Sequence, residues 1–281
     1  MKKIIIFAAL MSAGISVFAY DIAANSPVKG AVRTVTRTDF SVTSKFGEYF
    51  RTPGAKFVYK YDSYGRRTEA SELTVRDALI NKVVNVYDAA GNLTEQTGFD
   101  EENTKVWRSV ITYKDGMKSD VSEFGKDNSL KGRTIYSYNG KRLSDETSYN
   151  GEGAIIWKVV YAYNDRGQLS EENEYTGDGA LNERRTYVYT DAGLNDTISY
   201  FDGNGMLRAK DVFRYGTGNV LSEITTYGAD NRLDTRTIVK FDNAGNLARI
   251  TVYTVAKKFG TVMNEMTEMT EFVYNAVSDA K

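Results

Sequence analysis

The 281-residue chain contains no cysteine and no histidine. Missing thiols exclude disulfides, thiolate metal sites, a lipoprotein attachment site and a thiol nucleophile. Missing imidazole removes the commonest general base near neutral pH and the commonest metal ligand. Any catalysis therefore has to rest on carboxylates, Tyr, Ser, Thr or Lys. Proline is scarce too: Pro27 and Pro53 are the only two, and every later backbone N–H is free for sheet pairing. Charge of one sign is also lacking. Removing Lys2 and Lys3 from 36 basic and 37 acidic side chains leaves 34 against 37, a net charge of −3. That balance gives no electrostatic footprint for nucleic acid or an anionic membrane.

Long apolar runs are confined to the first residues. Lys2 and Lys3 lead into an apolar stretch from Ile4 to Met11, and Val17-Phe18-Ala19 follows with side chains that suit a signal peptidase. Ser12, Gly14 and Ser16 interrupt the run, whereas a bilayer span needs about 20 continuous apolar residues. Residues 1–19 read as a cleavable secretory signal, with the mature protein starting near Tyr20. The product is expected in the periplasm, on the cell surface or outside the cell, with no stable membrane insertion after cleavage.

What the chain does hold is a repeat. Tyr61, Tyr87, Tyr113, Tyr138, Tyr163, Tyr189, Tyr215, Phe241 and Tyr274 follow one another at steps of 26, 26, 25, 25, 26, 26, 26 and 33 residues. Self-similarity at such a period marks an array. Within one unit, Ile155, Trp157, Val159, Tyr161 and Tyr163 alternate with Ile156, Lys158, Val160 and Ala162, the period of a strand. Asn164-Asp165-Arg166-Gly167 then supplies a side-chain acceptor and a glycine for a short hairpin turn. A return strand from Leu169 to Tyr175 leads through Thr176-Gly177-Asp178-Gly179 to the next long strand.

The predicted fold class is all-β: an array of about eight 26-residue β-hairpin repeats in a long, curled antiparallel meander, an open solenoid or spiral-like sheet. Roughly sixteen strands exceed what an open sheet carries without curling, and twist of about −20 to −25° per strand pair argues against a flat ribbon. The Tyr and Leu face is expected inward and the Ser, Glu, Lys and Thr face wet. An outer-membrane barrel also alternates, but return strands reading SEENE, SDETS and TEQTG would put charge on lipid. Residues 20–57 lack the repeat and read as an N-terminal leader or cap that blunts the first sheet edge. Residues 58–281 form the repeat domain. Its extended end, 254–273, reads either as a longer hairpin or as a helical stripe of Met263, Met266 and Met269.

The motif Tyr-Asp-x-x-Gly-Asn/Arg-Leu appears as Tyr61-Asp62 with Gly65-Arg66, as Tyr87-Asp88 with Gly91-Asn92-Leu93, and as Phe241-Asp242 with Gly245-Asn246-Leu247. Degraded copies surround Tyr163, Tyr189 and Tyr215. In this the chain resembles the YD-repeat proteins of the Rhs type, and the likeness covers about three quarters of its length. The resemblance implies an exported or surface-displayed bacterial β-repeat protein; large members wrap a sheet around a toxin or act in adhesion. This chain departs from them in having no proline-containing Asp-Pro-x-Gly signature and no toxic tail. It is closer to short, stand-alone exported YD-like proteins, and no catalytic residue transfers.

Four aromatics are candidate ligand contacts: Trp107 and Trp157, each six residues before an anchor, and the anchors Tyr113 and Tyr163. Flat aromatic faces stack on sugars while Asp and Asn accept hydrogen bonds. The competing reading is that all four fill the inner face. Turns such as Phe201-Asp202-Gly203-Asn204-Gly205 and Thr176-Gly177-Asp178-Gly179 invite calcium, but they complete no EF-hand spacing, and turn chemistry explains them. Carboxylate pairs such as Glu171 with Glu174 and Asp145 with Glu146 could serve a hydrolase, yet they recur with the repeat on faces predicted to be solvated. No catalytic residue, cofactor or metal is assigned. The expected function is a non-enzymatic scaffold of the cell envelope or surface that binds another macromolecule, protein or glycan, along its extended surface. The alternatives are a glycan-binding module working through exposed Tyr and Trp, and a carboxylate hydrolase.

Overall fold

A computed structural model of the chain describes residues 20–258 and 261–276; the predicted signal and its cleavage site lie outside the described residues. The first six strands are β1 (Val32–Lys45), β2 (Glu48–Tyr61), β3 (Arg67–Leu73), β4 (Leu79–Tyr87), β5 (Leu93–Phe99) and β6 (Lys105–Lys114). The next six are β7 (Met117–Gly125), β8 (Leu130–Asn139), β9 (Arg142–Asn150), β10 (Ile155–Tyr163), β11 (Leu169–Thr176) and β12 (Leu181–Tyr189). β13 (Asn195–Asp202), β14 (Leu207–Tyr215), β15 (Leu221–Gly228), β16 (Leu233–Phe241), β17 (Leu247–Lys258) and β18 (Thr261–Ala276) complete the set.

Every strand pairs antiparallel with its sequence neighbours, and β1 also pairs with β18, from Val32 opposite Ala276 to Ser41 opposite Glu268. The meander is therefore a closed 18-strand barrel, and the expected open solenoid or spiral is corrected. Closure satisfies the backbone groups that two terminal edges would leave unpaired, and a curled sheet of this many strands gains most by meeting its own end. The segment expected as a leader supplies β1 and most of β2. The extended end is a long hairpin of β17 and β18, so the helical alternative for the three methionines falls.

The aromatic face lines the lumen. Tyr20, Ile22 and Ala23 pack against it, with Ile22, Ile198, Tyr200, Ala209, Phe213, Ile224, Val239 and Leu247 forming the buried core. On the outward face, Lys82, Arg108, Arg184 and Lys210 sit over the rings of Phe99, Phe124, Phe201 and Tyr227, at 4.4–5.3 Å from the ring centres. Arg133, Lys158 and Arg236 stand opposite Tyr149, Tyr175 and Tyr253 in the same register. Seven hairpins thus carry an outward cation beside an aromatic, several of them also paired with an acid, as in Arg236 with Glu223.

Each letter of the repeat motif has a local task. The anchor tyrosines Tyr87, Tyr113, Tyr138, Tyr163, Tyr189, Tyr215 and Tyr274 donate their hydroxyls to Arg67, Leu93, Lys118, Leu143, Leu169, Asn195 and Leu247 carbonyls at 2.7–3.0 Å. Each tyrosine so latches its own strand to the preceding return strand. The aspartate closes the turn: Asp242 accepts from the Ala244 and Asn246 amides. The glycine takes positive φ, as at Gly167 with φ 78°, which side chains resist. Removing one latch by Tyr189→Phe should cost about 1 kcal/mol, the net worth of one such bond. Urea unfolding should shift accordingly, and an unchanged midpoint would mean that water replaces the latch without loss.

A luminal wall of tyrosines and carboxylates

The lumen is not the uniformly apolar surface that alternation implies. Opposite Tyr161 stands Glu172, and opposite Val159 stands Glu174, because a bulge shifts the β10/β11 register between Ala162 and Tyr163. A second shift between Glu174 and Tyr175 follows on the β12 side. One extra residue exchanges the two faces of a strand. Glu172 and Glu174 are consequently inward and Glu171 outward, so the acids counted as solvated in sequence divide between the two faces. Asp145 and Glu146 divide as well. Asp145 pairs with Lys158 outside at 3.5 Å, whereas Glu146, only 3% exposed, accepts a 2.5 Å hydrogen bond from the Tyr161 hydroxyl inside.

The pattern repeats around the wall. The Tyr187 hydroxyl lies beside Glu172, and Tyr200 donates to Asp211 at 2.8 Å. Burial pushes the Glu146, Glu172 and Asp211 carboxyls above the usual carboxylate range. Burial, reinforced by the neighbouring carboxylates, likewise raises Tyr161, Tyr187 and Tyr200. Arg185 lies beside Glu183 and within 3.7 Å of Glu172, and Lys118 sits 3.8 Å over the Tyr136 ring. At the rim formed by the motif turns, Asn139, Lys141, Arg142, Leu143, Ser144, Tyr161 and Tyr163 line a concavity of about 460 Å³. The Arg142 guanidinium covers the Tyr163 ring at 5.7 Å.

Of the four predicted ligand-contact aromatics, Tyr163 alone lines this concavity. Tyr113 lies two hairpins earlier, with its hydroxyl on the Leu93 carbonyl at 3.0 Å. Trp107 packs on Gly98, where an added Cβ would fall 2.0 Å from the indole nitrogen, so glycine there makes room for the ring. Trp157 faces inward beside Ser148 and Thr176. Asp202 accepts from the Asn204 and Met206 amides and pairs with Arg208; its oxygens are committed to the turn. Among the described residues, no group of three or more acidic side chains is disposed to hold a metal ion.

These shifts give a pH dependence with two limbs. A carboxyl raised in the fold holds its proton more tightly when folded, so its contribution is full below the ordinary value and lost as pH rises through the raised one. Asp88, Asp127 and Asp178 behave oppositely. Their side-chain bonds to Asn92, Ser129 and Thr176 lead, with turn amides, in lowering them, and their contribution is lost as pH falls through the depressed values. Stability should peak in mild acid. Glu172→Gln should flatten the upper limb, its melting temperature gaining on the parent's as pH rises from 4.5 to 8; parallel curves would show that Glu172 does not titrate in the fold.

No family model and no curated protein matches the chain. Among solved structures, a porin-like protein from Bacteroides uniformis is 11% identical over 88% of this chain and 98% of that one, with a TM-score of 0.47. A porin-like protein from Bacteroides vulgatus is 11% identical over 88% and 99%, with a TM-score of 0.35. The Photorhabdus luminescens Tc holotoxin pore is 12% identical over 83% of this chain and 15% of that one, with a TM-score of 0.22. All three scores fall below 0.5.

Proposed function

We propose that the protein is an exported, non-enzymatic interaction protein of the bacterial cell envelope or surface, of the short YD-like kind, and that it binds at the luminal rim. At the end formed by the motif turns every strand of the closed ring is already paired on both sides, so recognition there has to use side chains. The observation that carries this reading is the rim concavity, where the Tyr161 and Tyr163 rings meet Asn139, Lys141, Arg142 and Ser144. Aromatic faces with a few convergent polar groups suit a neutral, polyhydroxylated ligand such as a glycan. Binding is favoured over hydrolysis because the luminal acids are engaged: Glu146 by Tyr161, Asp211 by Tyr200 and Thr226, Glu183 by Arg185. The outward belt of cations argues for a wet exterior, since a single Lys or Arg at a bilayer midplane costs about 2–4 kcal/mol.

A glycan array, followed by calorimetry on any hit, tests the reading with Arg142→Ala and Tyr163→Ala. Arg142→Ala should abolish binding and leave the melting temperature nearly unchanged. Retained binding by both variants would move recognition away from the rim.

A protein partner is the second reading, favoured by the other end of the barrel. There β1 and β2 beyond Ser41, and β17 and β18 beyond Thr254, outrun their neighbours' ladders. Their tips carry Phe46, Tyr49, Phe50, Val262 and Met263, all exposed. If Phe46→Ser with Phe50→Ser abolishes attachment to envelope fractions while rim variants keep it, the partner docks there.

A further inference from the structure

Asp211 is the most buried ionisable side chain of the described residues, 1% exposed on the lumen wall. Its oxygens accept from the Tyr200 hydroxyl at 2.8 Å, from the Thr226 hydroxyl at 2.6 Å and from the backbone nitrogen of Tyr20. All three donors are neutral in the uncleaved chain. No ion pair reaches Asp211 among the described residues. Arg37 lines the same cavity of about 230 Å³, but its guanidinium is held by Asp39 at 2.9 Å. A carboxylate at that depth without a counter-charge is costly.

The nitrogen it faces is no ordinary amide. Val17-Phe18-Ala19 reads as a peptidase site, and cleavage after Ala19 would turn the Tyr20 nitrogen into an α-ammonium. We propose that signal cleavage between Ala19 and Tyr20 creates the missing cation, and that the new N-terminus is a built ligand of Asp211, locking the amino-terminal segment inside the barrel. Hydrolysis of the Ala19–Tyr20 peptide bond consumes one water and leaves a carboxylate on the departing signal and the ammonium on Tyr20.

The segment is shaped for this. The Tyr20 ring meets Phe213 edge-on at 4.9 Å, and Ile22 is buried in the core. The Ala24 amide donates to Asp21 at 2.9 Å, turning the chain back. Further along, Asn246 Oδ1 accepts from the Lys29 amide at 2.6 Å where the segment passes the rim. Insertion of even one residue before Tyr20 moves the charged nitrogen by about 3.8 Å, out of reach of the carboxylate. The proposal rests on the export reading, and the tests separate the two.

N-terminal sequencing of the exported protein should return Tyr20 first; another start would overturn the cleavage site. Four mature chains then address the ion pair: with Tyr20 first or with Ala19 retained, each in the parent and in the Asp211→Asn background. Retaining Ala19 should lower the melting temperature by roughly 5–10 °C in the parent background and change little in the Asp211→Asn background. Equal losses in both backgrounds, or none in either, would overturn the ion pair. Should the Asp211→Asn chains fail to fold, acetylation of the parent's α-amine provides the second measurement. Its rate should be at least tenfold slower in the native protein than in urea, and equal rates would overturn the proposal.

Discussion

A chain ending at Lys258 should fail to form a stable monomer. Without β18, the long strands β1 and β17 become two exposed edges, and the pairing between Val32–Ser41 and Glu268–Ala276 disappears. So do the Thr270 hydroxyl bond to Asp39 at 2.8 Å, the Tyr274 latch on Leu247 at 2.8 Å and the Arg249 pair with Glu271 at 2.8 Å. Exposed edges template intermolecular pairing, so light scattering should report oligomers or aggregate. A milder probe is Thr270→Pro, which withdraws one ladder donor in a strand paired on both sides and should cost about 1–3 kcal/mol, the penalty for a backbone partner left unsatisfied. A truncated chain that stays monomeric with the parent's melting temperature would refute closure by β18.

Phe213→Ala should cost about 3–5 kcal/mol, the range for truncating a large aromatic in a core. Phe213 is 5% exposed and touches both the Tyr20 ring and the apolar cluster of β13 to β17. Trp157 and Tyr163 are only half-buried, so the comparison truncations Trp157→Ala and Tyr163→Ala should cost less. The variant should also loosen residues 20–24, which hydrogen exchange at the Ala24 and Asn25 amides would report. If Phe213→Ala melts no earlier than Trp157→Ala, the core is spread evenly around the ring and the amino-terminal segment contributes nothing to it.

The reading of one hairpin transferred well to the others. Tyr161 and Tyr163 do share a face, Gly167 does take positive φ at 78°, and Asn164 does close its turn by accepting from the Gln168 amide at 3.0 Å. These are local events, settled by alternation and turn chemistry within about ten residues. The candidate site was less legible. Sequence marks Tyr163, but its neighbours Arg142 and Ser144 come from the preceding strand, and the sequence pattern puts Glu146 on a solvated face whereas the fold turns it inward. The signal that could have found it is the one-residue excess in each hairpin between the anchor tyrosine and the return strand, which requires a bulge and reverses the parity of every acid beyond it.

By itself the sequence determined the strands, the turns, the antiparallel order and the aromatic face, because each follows from period-two patterning and short-range hydrogen bonding repeated at a 26-residue step. Only the tertiary structure decided that the sheet closes, since nothing in either β1 or β18 names the other as partner. That pairing joins residues more than 220 apart in the chain, such as Ser41 and Glu268, and it is selected by the accumulated twist and curvature of the sixteen strands between them. Closure in turn made one face a lumen, turned Glu146, Glu172 and Asp211 into buried groups, and gave the amino-terminal segment an interior to enter.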